Sequence, residues 1–479
     1  MKRILLRAGK APHEVTGPEA AFAYAGKATY AMNAGNLIYT EAVYRLLSTP
    51  DVEVVPDSLS TERPGVTKAH VDRINEEFDA YVLPLANALR IGFAPNRARL
   101  TEVIRQLKIP VVIVGIGAQL SPKVDWHWID DDAKANQRAF ISAVLDHSAS
   151  IGVRGEATRS YLLHLGFHDS QIDVIGCPSM HDAGPDAVIR RKVDALRPDS
   201  PIAVNADHRI PGTHKVVTDN LERYSDLVFV SQNQAEAALL LWGKPIADYP
   251  DGLPGTMDHP LYRDDRMRFF PDPRPWREFM ATRDFCLGSR MHGSIAALMA
   301  GTPAMVIAHD SRLMELCRYH QIPHRMINDV IDEPWDAARF HDLADPEPIN
   351  SVRAENFHRY IGFIERNGLE HIHQPGKANP DYDAALAAAP HPGGIRPLTA
   401  DPGQVASRLR WLWQDAEGDR ARTVGTYRPP FAPRPTDAGL EERVKRLEAR
   451  VAKQEKALKA QAGTWPRRAL HKVRRTFGG

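Results

Sequence analysis

Short apolar runs alternate with amphipathic stretches over most of the chain. Several runs are apolar at consecutive positions, which is typical of strands covered on both faces of a parallel sheet. The predicted strands are Arg3–Arg7, Val52–Val55, Ala80–Pro84, Val111–Gly115, Ser150–Arg154, Asp173–Ile175, Ile202–Asn205, Leu227–Ser231, Asp284–Leu287 and Ala304–Ala308. Helical periodicity predicts helices at Leu37–Leu47, Arg97–Leu107, Ala133–His147, Glu156–Leu165, Asn220–Tyr224, Ala235–Leu241, His292–Ala300 and Arg312–His320. This alternation indicates an α/β protein with doubly wound parallel sheets.

The series of strands breaks once, in the stretch PSMHDAGPDAVIRRKVDALRPDSP, which begins at Pro178. A stretch rich in Pro, Asp and Gly is typical of a linker between domains. We therefore predict two Rossmann-like domains, residues 1–182 and 183–372, whose sheets face each other across a cleft. Ligands of such sheets bind beyond the carboxyl ends of the strands, so the cleft is the predicted site.

Beyond residue 372 the chain changes character. Residues 373–436 are rich in Pro, Gly and Ala, which predicts an irregular arm. Residues 437–479 hold apolar residues with a 4-3 spacing, at Leu440, Val444, Leu447, Val451 and Leu458. The spacing fits either a short coiled coil that joins copies of the chain or a solvated helix on its own domain. The final TWPRRALHKVRRTFGG fits either contact with an anionic membrane surface or a frayed basic tail.

Composition narrows the class of protein. The formal net charge of +1 gives no general case for nucleic-acid binding. The three cysteines, Cys177, Cys286 and Cys317, stand too far apart for a CxxC pair and predict a reducing compartment. No apolar run approaches the roughly 20 residues that cross a bilayer. We therefore expect a cytoplasmic protein, either free or peripheral at the inner face of the membrane.

The strongest candidate chemistry lies in the stretch LGSRMHGSIAALMAGTP, where a predicted strand runs into a predicted helix. Ser289, Arg290 and His292 occupy the turn beside the helix N-terminus, a place that favours an anion. Arg290 offers a fork of donors for phosphate or carboxylate, and His292 changes protonation near neutral pH. Gly293 allows close approach of the backbone. The competing interpretation is an arginine that caps a carbonyl and a histidine buried in the core.

Arg154 also follows a predicted strand, in the stretch SIGVRGEATR. It is a second candidate for anion binding, with a salt bridge to Glu156 or another local acid as the alternative. In VVIVGIGAQL, Gly115 and Gly117 resemble part of a dinucleotide loop, but a third glycine is missing, so a tight turn at the cleft is the better interpretation.

The stretch AMNAGNLIYTEAVYRLL places Asn33 and Asn36 in a polar loop before a helix. Binding of substrate competes there with simple helix capping by Asn36. The acidic run at Asp130 to Asp132, after His127, fits a helix N-terminus better than a metal site. We expect no metal ion and no cofactor.

The stretches around these residues resemble the polysaccharide pyruvyl transferase family. FCLGSRMHGSIAALMAGTPAMVIAHD matches the family's strand, Arg-x-His-Gly block, small-residue helix and Gly-x-Pro. IGVRGEATRSYLLHLGF, VVIVGIGAQL and NAGNLIYTEAVYRLL resemble its strand–Arg–helix segment, glycine turn and N-terminal loop. Asn36 stands where the family commonly has Asp, and LPLANALR replaces a frequent glycine cluster.

The resemblance implies a GT-B-like fold and transfer of pyruvyl from phosphoenolpyruvate to a sugar of a surface polysaccharide or its precursor, as a cyclic ketal. The expected partners are phosphoenolpyruvate and a sugar or lipid-linked glycan. The N-terminal domain would hold this acceptor and the C-terminal domain the donor. His292 would then donate a proton while Arg290 and Arg154 hold the anionic donor. Two alternatives stay open, a GT-B-type nucleotide-sugar glycosyltransferase and a non-catalytic scaffold of polysaccharide assembly.

Overall fold

The strands of the chain form two parallel sheets. A computed structural model describes residues 1–24, 33–121, 125–416, 431 and 451. Its strands are β1 (Lys2–Leu6), β2 (Val52–Pro56), β3 (Ala80–Pro84), β4 (Val111–Val114), β5 (Ile151–Val153), β6 (Ile172–Val174), β7 (Ile202–Asn205), β8 (Leu227–Ser231), β9 (Met267–Phe269), β10 (Phe285–Gly288), β11 (Ala304–Ala308) and β12 (His324–Met326). The predicted α/β class with parallel sheets is confirmed.

Helices cover the faces of both sheets. They are α1 (Pro18–Tyr24), α2 (Asn36–Leu47), α3 (Lys68–Glu77), α4 (Ala94–Ile104), α5 (Asp131–Leu145), α6 (Glu156–His164), α7 (Lys215–Thr218), α8 (Gln234–Trp242), α9 (Pro260–Arg263), α10 (Pro273–Ala281), α11 (Met291–Met299), α12 (Ser311–His320), α13 (Ile327–Val330), α14 (Ala337–Leu343), α15 (Glu347–Arg366), α16 (Pro380–Ala388) and α17 (Pro402–Ala416). Every residue of β3, β4, β8, β10 and β11 is buried, as expected for strands covered on both faces.

The order of the strands determines where a ligand can bind. The first sheet has the order β2-β1-β3-β4, and a bridge between Ile116 and Val153 continues it to the pair β5-β6. The second sheet has the order β12-β11-β10-β7-β8-β9. Strand order reverses between β1 and β3 in the first sheet and between β7 and β10 in the second. A crevice opens at such reversals, beyond the carboxyl ends of the strands. Each of the two sheets therefore has a crevice at its carboxyl edge where a ligand can bind.

Helix α15 links the two halves. It follows the second sheet in the chain, yet Phe363 and Ile364 on it are fully buried in the core of the first sheet. A methyl group added at Gly152 on β5 would lie 2.8 Å from the Phe363 ring, which shows how closely the helix approaches that strand. The predicted domain boundaries at residues 182 and 372 stay predictions. The compact unit found in the structure comprises residues 1–432, with residues 433–479 as a separate unit.

Two local predictions are wrong. The segment Asn220–Tyr224 forms turns, because the Asn220 side chain donates to the Trp335 carbonyl at 2.7 Å and accepts from Ala337 N instead of facing solvent on a helix. The arm at 373–436 is not irregular throughout, since α16 and α17 lie within it. The apolar spacing that predicts a coiled coil lies outside the described residues except for Val451, as does the whole basic tail.

No helix in the described part of the chain is long and apolar enough to cross a bilayer. Cys177, Cys286 and Cys317 are buried free thiols.

Phe431 is also buried, and the Arg73 guanidinium lies 4.3 Å from the centre of the Phe431 ring.

Two buried histidines at the junction of the halves should make the fold sensitive to acid. Burial lowers the pKa of His181 to about 4 and that of His320 well below its usual range, and His320 Nε2 accepts a hydrogen bond from Cys177 N at 3.0 Å. The unfolded chain therefore binds more protons below pH 6.5, and the free energy of unfolding should fall by about 2 kcal/mol per histidine between pH 7 and pH 5. Urea unfolding of His320→Gln should show a shallower pH slope, whereas the exposed His168→Gln should keep the original slope. Equal slopes in all three proteins would refute this prediction.

Candidate functional site

One cavity of about 1080 Å³ lies at the carboxyl ends of both sheets. Its lining holds eight arginines but only three carboxylates, an excess of positive charge in a chain whose formal net charge is +1. The arginines are Arg7, Arg63, Arg90, Arg99, Arg154, Arg209, Arg290 and Arg312, and the carboxylates are Glu62, Asp207 and Asp310. A cavity of this charge is suited to an anionic ligand.

His292 lies in this cavity, in the first turn of α11. Its ring stacks on Tyr39 with 5.5 Å between centroids. Gly35 packs against the Cβ, Cγ and Nδ1 atoms of His292. The Nε2 atom is shielded from solvent and has no hydrogen-bond partner among the described residues. Burial, followed by the charges of nearby arginines, lowers the pKa of His292 to about 3. The imidazole is therefore neutral at pH 7 in the free protein.

Arg290 directly precedes α11 and is held by amides. Its backbone N–H donates to Asn205 Oδ1 at 2.8 Å, and its guanidinium donates to Asn233 Oδ1 at 2.6 and 3.2 Å. Asn233 is itself fixed as the N-cap of α8, in a capping box with Glu236. The guanidinium is almost fully buried, and no carboxylate pairs with it within the described residues. An amide orients a guanidinium without neutralising its charge, so Arg290 stays available to an anion.

Arg154 reaches the same cavity from β5. Its Nε donates to the Gly115 carbonyl at 2.9 Å, and its guanidinium lies 5.9 Å from the centre of the Tyr39 ring. The alternative ion pair is absent from the described contacts, because Glu156 pairs with Arg159 at 3.0 Å instead. Arg154 is therefore another buried arginine without a carboxylate partner in that part of the chain.

The two glycines of the predicted turn support Arg154 and do not line the cavity. Gly115 has a φ of +73°, which favours glycine, and its carbonyl accepts from Arg154. A methyl group added at Gly117 would lie 3.1 Å from Arg154 Cδ. Gly293 likewise lies behind the wall, where added bulk would meet Asn205. These three glycines shape the site through close packing.

Ser289, Asn33 and Asn36 line the cavity as well. Ser289 Oγ accepts a hydrogen bond from Asp207 N at 2.9 Å, so the serine fixes a neighbouring loop. Asn33 Oδ1 accepts from Gly35 N at 2.9 Å, and this turn leads into α2. Capping of the helix by Asn36 is wrong, because Asn36 is the first helical residue and Gly35 occupies the N-cap position.

Sequence reasoning missed Arg312 and Glu315 on α12. Arg312 lines the cavity, pairs with Asp310 at 3.0 Å and contributes to the lowered pKa of His292. Glu315 lies behind Arg154 and accepts hydrogen bonds from Thr158 N at 2.9 Å and Thr158 Oγ1 at 2.8 Å. Burial raises the pKa of Glu315 to about 7. The sequence does contain a signal for these two residues. They follow the predicted strand Ala304–Ala308, and the segment after that strand faces the same cavity.

The acidic run has a structural role. Asp130 caps α5 by accepting from Ala133 N at 2.7 Å, and Asp131 and Asp132 lie in the first helical turn. No group of three or more His, Cys, Asp or Glu side chains within the described ranges is arranged to hold a metal ion.

Gly35 sets the position of His292, which gives a direct test of the packing. A methyl group at Gly35 would lie 2.6 Å from His292 Cβ, so Gly35→Ala must displace the histidine. The φ of Gly35 is −60°, which alanine adopts without strain, so the fold should persist. If His292 takes part in chemistry in this cavity, Gly35→Ala should lower turnover at least about tenfold, because small misplacements of a reacting group are costly. Gly362→Ala, where nothing lies within 4 Å, is the control. Unchanged turnover in Gly35→Ala would contradict the role given to this packing.

Solved structures that align with most of the chain share little sequence with it. S. aureus MnaA with UDP aligns over 76% of this chain and 98% of that chain, at 14% identity and a TM-score of 0.38. UDP-GlcNAc 2-epimerase from Neisseria meningitidis, bound to UDP-GlcNAc, aligns over 77% and 100%, at 11% identity and a TM-score of 0.43. Anabaena Alr3699/HepE in complex with UDP aligns over 76% and 99%, at 14% identity and a TM-score of 0.37. No curated protein matches the chain.

A family model gives a more specific relationship. The model described as polysaccharide pyruvyl transferase matches residues 33–311, which is more than half of the 479-residue chain. The matched range begins at Asn33 and includes Arg154, Arg290 and His292. The chain belongs to the polysaccharide pyruvyl transferase family.

Proposed function

We propose that the protein transfers the pyruvyl group of phosphoenolpyruvate to a sugar of a surface polysaccharide or its precursor, forming a cyclic ketal. The observation that carries this proposal is the group of Arg154, Arg290 and Arg312 around the unpartnered Nε2 of His292. Phosphoenolpyruvate brings a phosphate and a carboxylate into such a site, and both are natural partners of guanidinium forks.

Arg290 and Arg154 bind the donor in this proposal. Both side chains are buried and lack a carboxylate partner among the described contacts, so an incoming anion replaces water without breaking an existing ion pair. Ser289 and the start of α11 lie on the same side, where a helix N-terminus favours negative charge. Each charge-assisted hydrogen bond of this kind contributes about 1.5–3 kcal/mol.

The arrival of the donor prepares His292 as the proton donor. In the free protein its pKa is lowered by burial and by the surrounding arginines. A bound anion offsets those positive charges and favours the protonated imidazole, so the pKa of His292 rises when phosphoenolpyruvate binds. The site thus takes up a proton together with its substrate.

A single acid–base group, His292, can supply and recover the proton that the transfer needs. His292 protonates the methylene carbon of phosphoenolpyruvate, which leaves a cation-like centre at the adjacent carbon. A sugar hydroxyl attacks this carbon and loses its proton to the now neutral His292. A second hydroxyl closes the ketal as inorganic phosphate leaves with the second hydroxyl proton. The net reaction converts phosphoenolpyruvate and a diol into a ketal and phosphate, with no redox step.

Phosphate release tests this proposal. The protein is incubated with phosphoenolpyruvate and a panel of free or lipid-linked glycans, and inorganic phosphate and product mass are measured together. We expect phosphate release that depends on the acceptor, with one pyruvyl ketal per phosphate. Incubation with UDP-sugars under the same conditions serves as the comparison. Transfer from a UDP-sugar, with no binding of phosphoenolpyruvate, would overturn the proposal.

A further inference from the structure

The side-chain amide of Asn233 separates the guanidinium of Arg290 from a buried carboxylate. The Oδ1 atom of Asn233 accepts from Arg290 at 2.6 and 3.2 Å, and its Nδ2 atom donates to Glu236 Oε1 at 3.3 Å. Arg290 and Asn233 line the cavity, whereas Glu236 is buried behind them and is not one of the lining residues. A negative charge therefore lies one side chain away from Arg290, on the far side of a neutral group.

Only one orientation of the Asn233 amide suits both of its neighbours. A guanidinium can only donate hydrogen bonds, and an ionised carboxylate can only accept them. If the amide were reversed, its NH2 group would face the donors of Arg290 and its carbonyl oxygen would face the carboxylate of Glu236. The carboxylate therefore holds the amide oxygen towards Arg290.

The carboxylate of Glu236 is itself fixed by several donors. Its Oε2 atom accepts from Gln232 N at 2.8 Å and from Asn233 N at 3.0 Å, and its Oε1 atom accepts from the Tyr249 hydroxyl at 2.7 Å. Burial, followed by the charge of Glu236, raises the pKa of Tyr249, so the phenol keeps the proton that it donates. Tyr249 lies between α8 and α9, outside the lining of the cavity. Groups behind the wall thus determine how Asn233 meets Arg290.

Two other arginines of the cavity show the contrasting arrangement. Arg209 pairs directly with Asp207 at 2.6 Å, and Arg312 pairs directly with Asp310 at 3.0 Å. A direct ion pair occupies the donors of the guanidinium, so an incoming anion must compete with the carboxylate for them. A carboxylate one side chain further away still attracts the buried charge of Arg290, because charges interact over longer distances away from water. Arg290 is therefore stabilised in the wall while its donors stay open to a ligand.

We propose that Asn233 is a positioning residue that keeps Arg290 free for an anion by separating it from Glu236. This inference deepens the proposed function and rests on it for the identity of the anion. The place of the carboxylate, rather than the net charge around the cavity, then decides how tightly the donor site binds its ligand.

Exchanging the amide and the carboxylate tests this proposal. The double variant Asn233→Asp/Glu236→Gln keeps the net charge but places a carboxylate directly against Arg290. Asp at the N-cap and Gln three residues later also form a capping box, so a role in capping α8 alone predicts unchanged binding. We expect calorimetry to show at least about tenfold weaker binding of phosphoenolpyruvate, as for the loss of one charge-assisted hydrogen bond. The KM for phosphoenolpyruvate should rise by the same factor while kcat stays within about threefold. Asn233→Asp alone is the second variant, with the same expected loss.

Asn379→Asp is the matched control, because Asn379 caps α16 by accepting from Tyr382 N at 3.0 Å and does not line the cavity. This variant should bind phosphoenolpyruvate as wild type does. Inorganic phosphate is titrated as a second probe of the anion site. If phosphate binds wild type and is lost in the Asn233 variants but phosphoenolpyruvate does not bind at all, the proposed function fails and the role of Asn233 is upheld. Unchanged affinity of the Asn233 variants for every anion that wild type binds, or no binding of either anion by wild type, overturns the role of Asn233.

Discussion

Replacing His292 with asparagine is expected to lower the rate of pyruvyl transfer by about 10²–10⁴-fold, the usual contribution of a positioned acid–base group. The affinity for phosphoenolpyruvate should change by only a few fold, because the imidazole of the free protein is neutral and the arginines carry the binding. The structure supports a loss of rate without a loss of affinity. His292 Nε2 has no partner among the described residues, whereas Arg290 is fixed independently by Asn233. Rates are measured as phosphate release and affinities by calorimetry.

His309 provides the matched control for this experiment. It lines the same cavity, is partly buried, and has its Nε2 atom 3.8 Å from Asp310 Oδ2. We expect His309→Asn to lower the rate of transfer less than about tenfold. A larger loss in His309→Asn than in His292→Asn would transfer the role of proton donor to His309. Full turnover in His292→Asn would remove His292 from the mechanism.

Replacing Arg290 with methionine should weaken binding of phosphoenolpyruvate by at least about 100-fold. Loss of two charge-assisted hydrogen bonds at about 1.5–3 kcal/mol each corresponds to such a change. Arg290→Lys keeps the charge but loses the fork of donors, so its affinity should lie between those of wild type and Arg290→Met. Calorimetric titration measures the affinities, and circular dichroism verifies that the variants fold.

The control for Arg290 is an arginine with an exposed ion pair. Arg223 is 57% exposed, pairs with Asp336 at 2.7 Å and is not one of the residues that line the cavity. Arg223→Met should bind phosphoenolpyruvate as wild type does. If Arg290→Met binds equally well, the guanidinium beside His292 is not part of the donor site.

Two of the predicted site residues meet in one cavity because parallel sheets gather the residues that follow their strands. Arg154 follows β5 and Arg290 follows β10, so the topology brings both to one cavity although 136 positions separate them. The same rule applied to β11 would have found Arg312, which the loop after Ala308 carries to His292. That residue was missed because it was counted only as the first position of the predicted amphipathic helix Arg312–His320.

Other features depend on tertiary packing that a single sequence does not contain. The hydrogen bond from the Thr158 hydroxyl to Glu315 joins residues of α6 and α12 that lie far apart in the chain. The return of α15 to the first sheet depends on the fit of Phe363 against Gly152, which no local periodicity encodes.

The proposed function requires a donor site that binds phosphoenolpyruvate and protonates His292 as it does so. Calorimetric titration of phosphoenolpyruvate at pH 7, in two buffers of different ionisation enthalpy, reports the affinity and the number of protons taken up. With a pKa of about 3 in the free protein, His292 has a proton to gain when the anion arrives. We predict binding with net proton uptake in wild type and binding without this uptake in His292→Asn. Absence of binding, or equal uptake by the two proteins, would contradict the account.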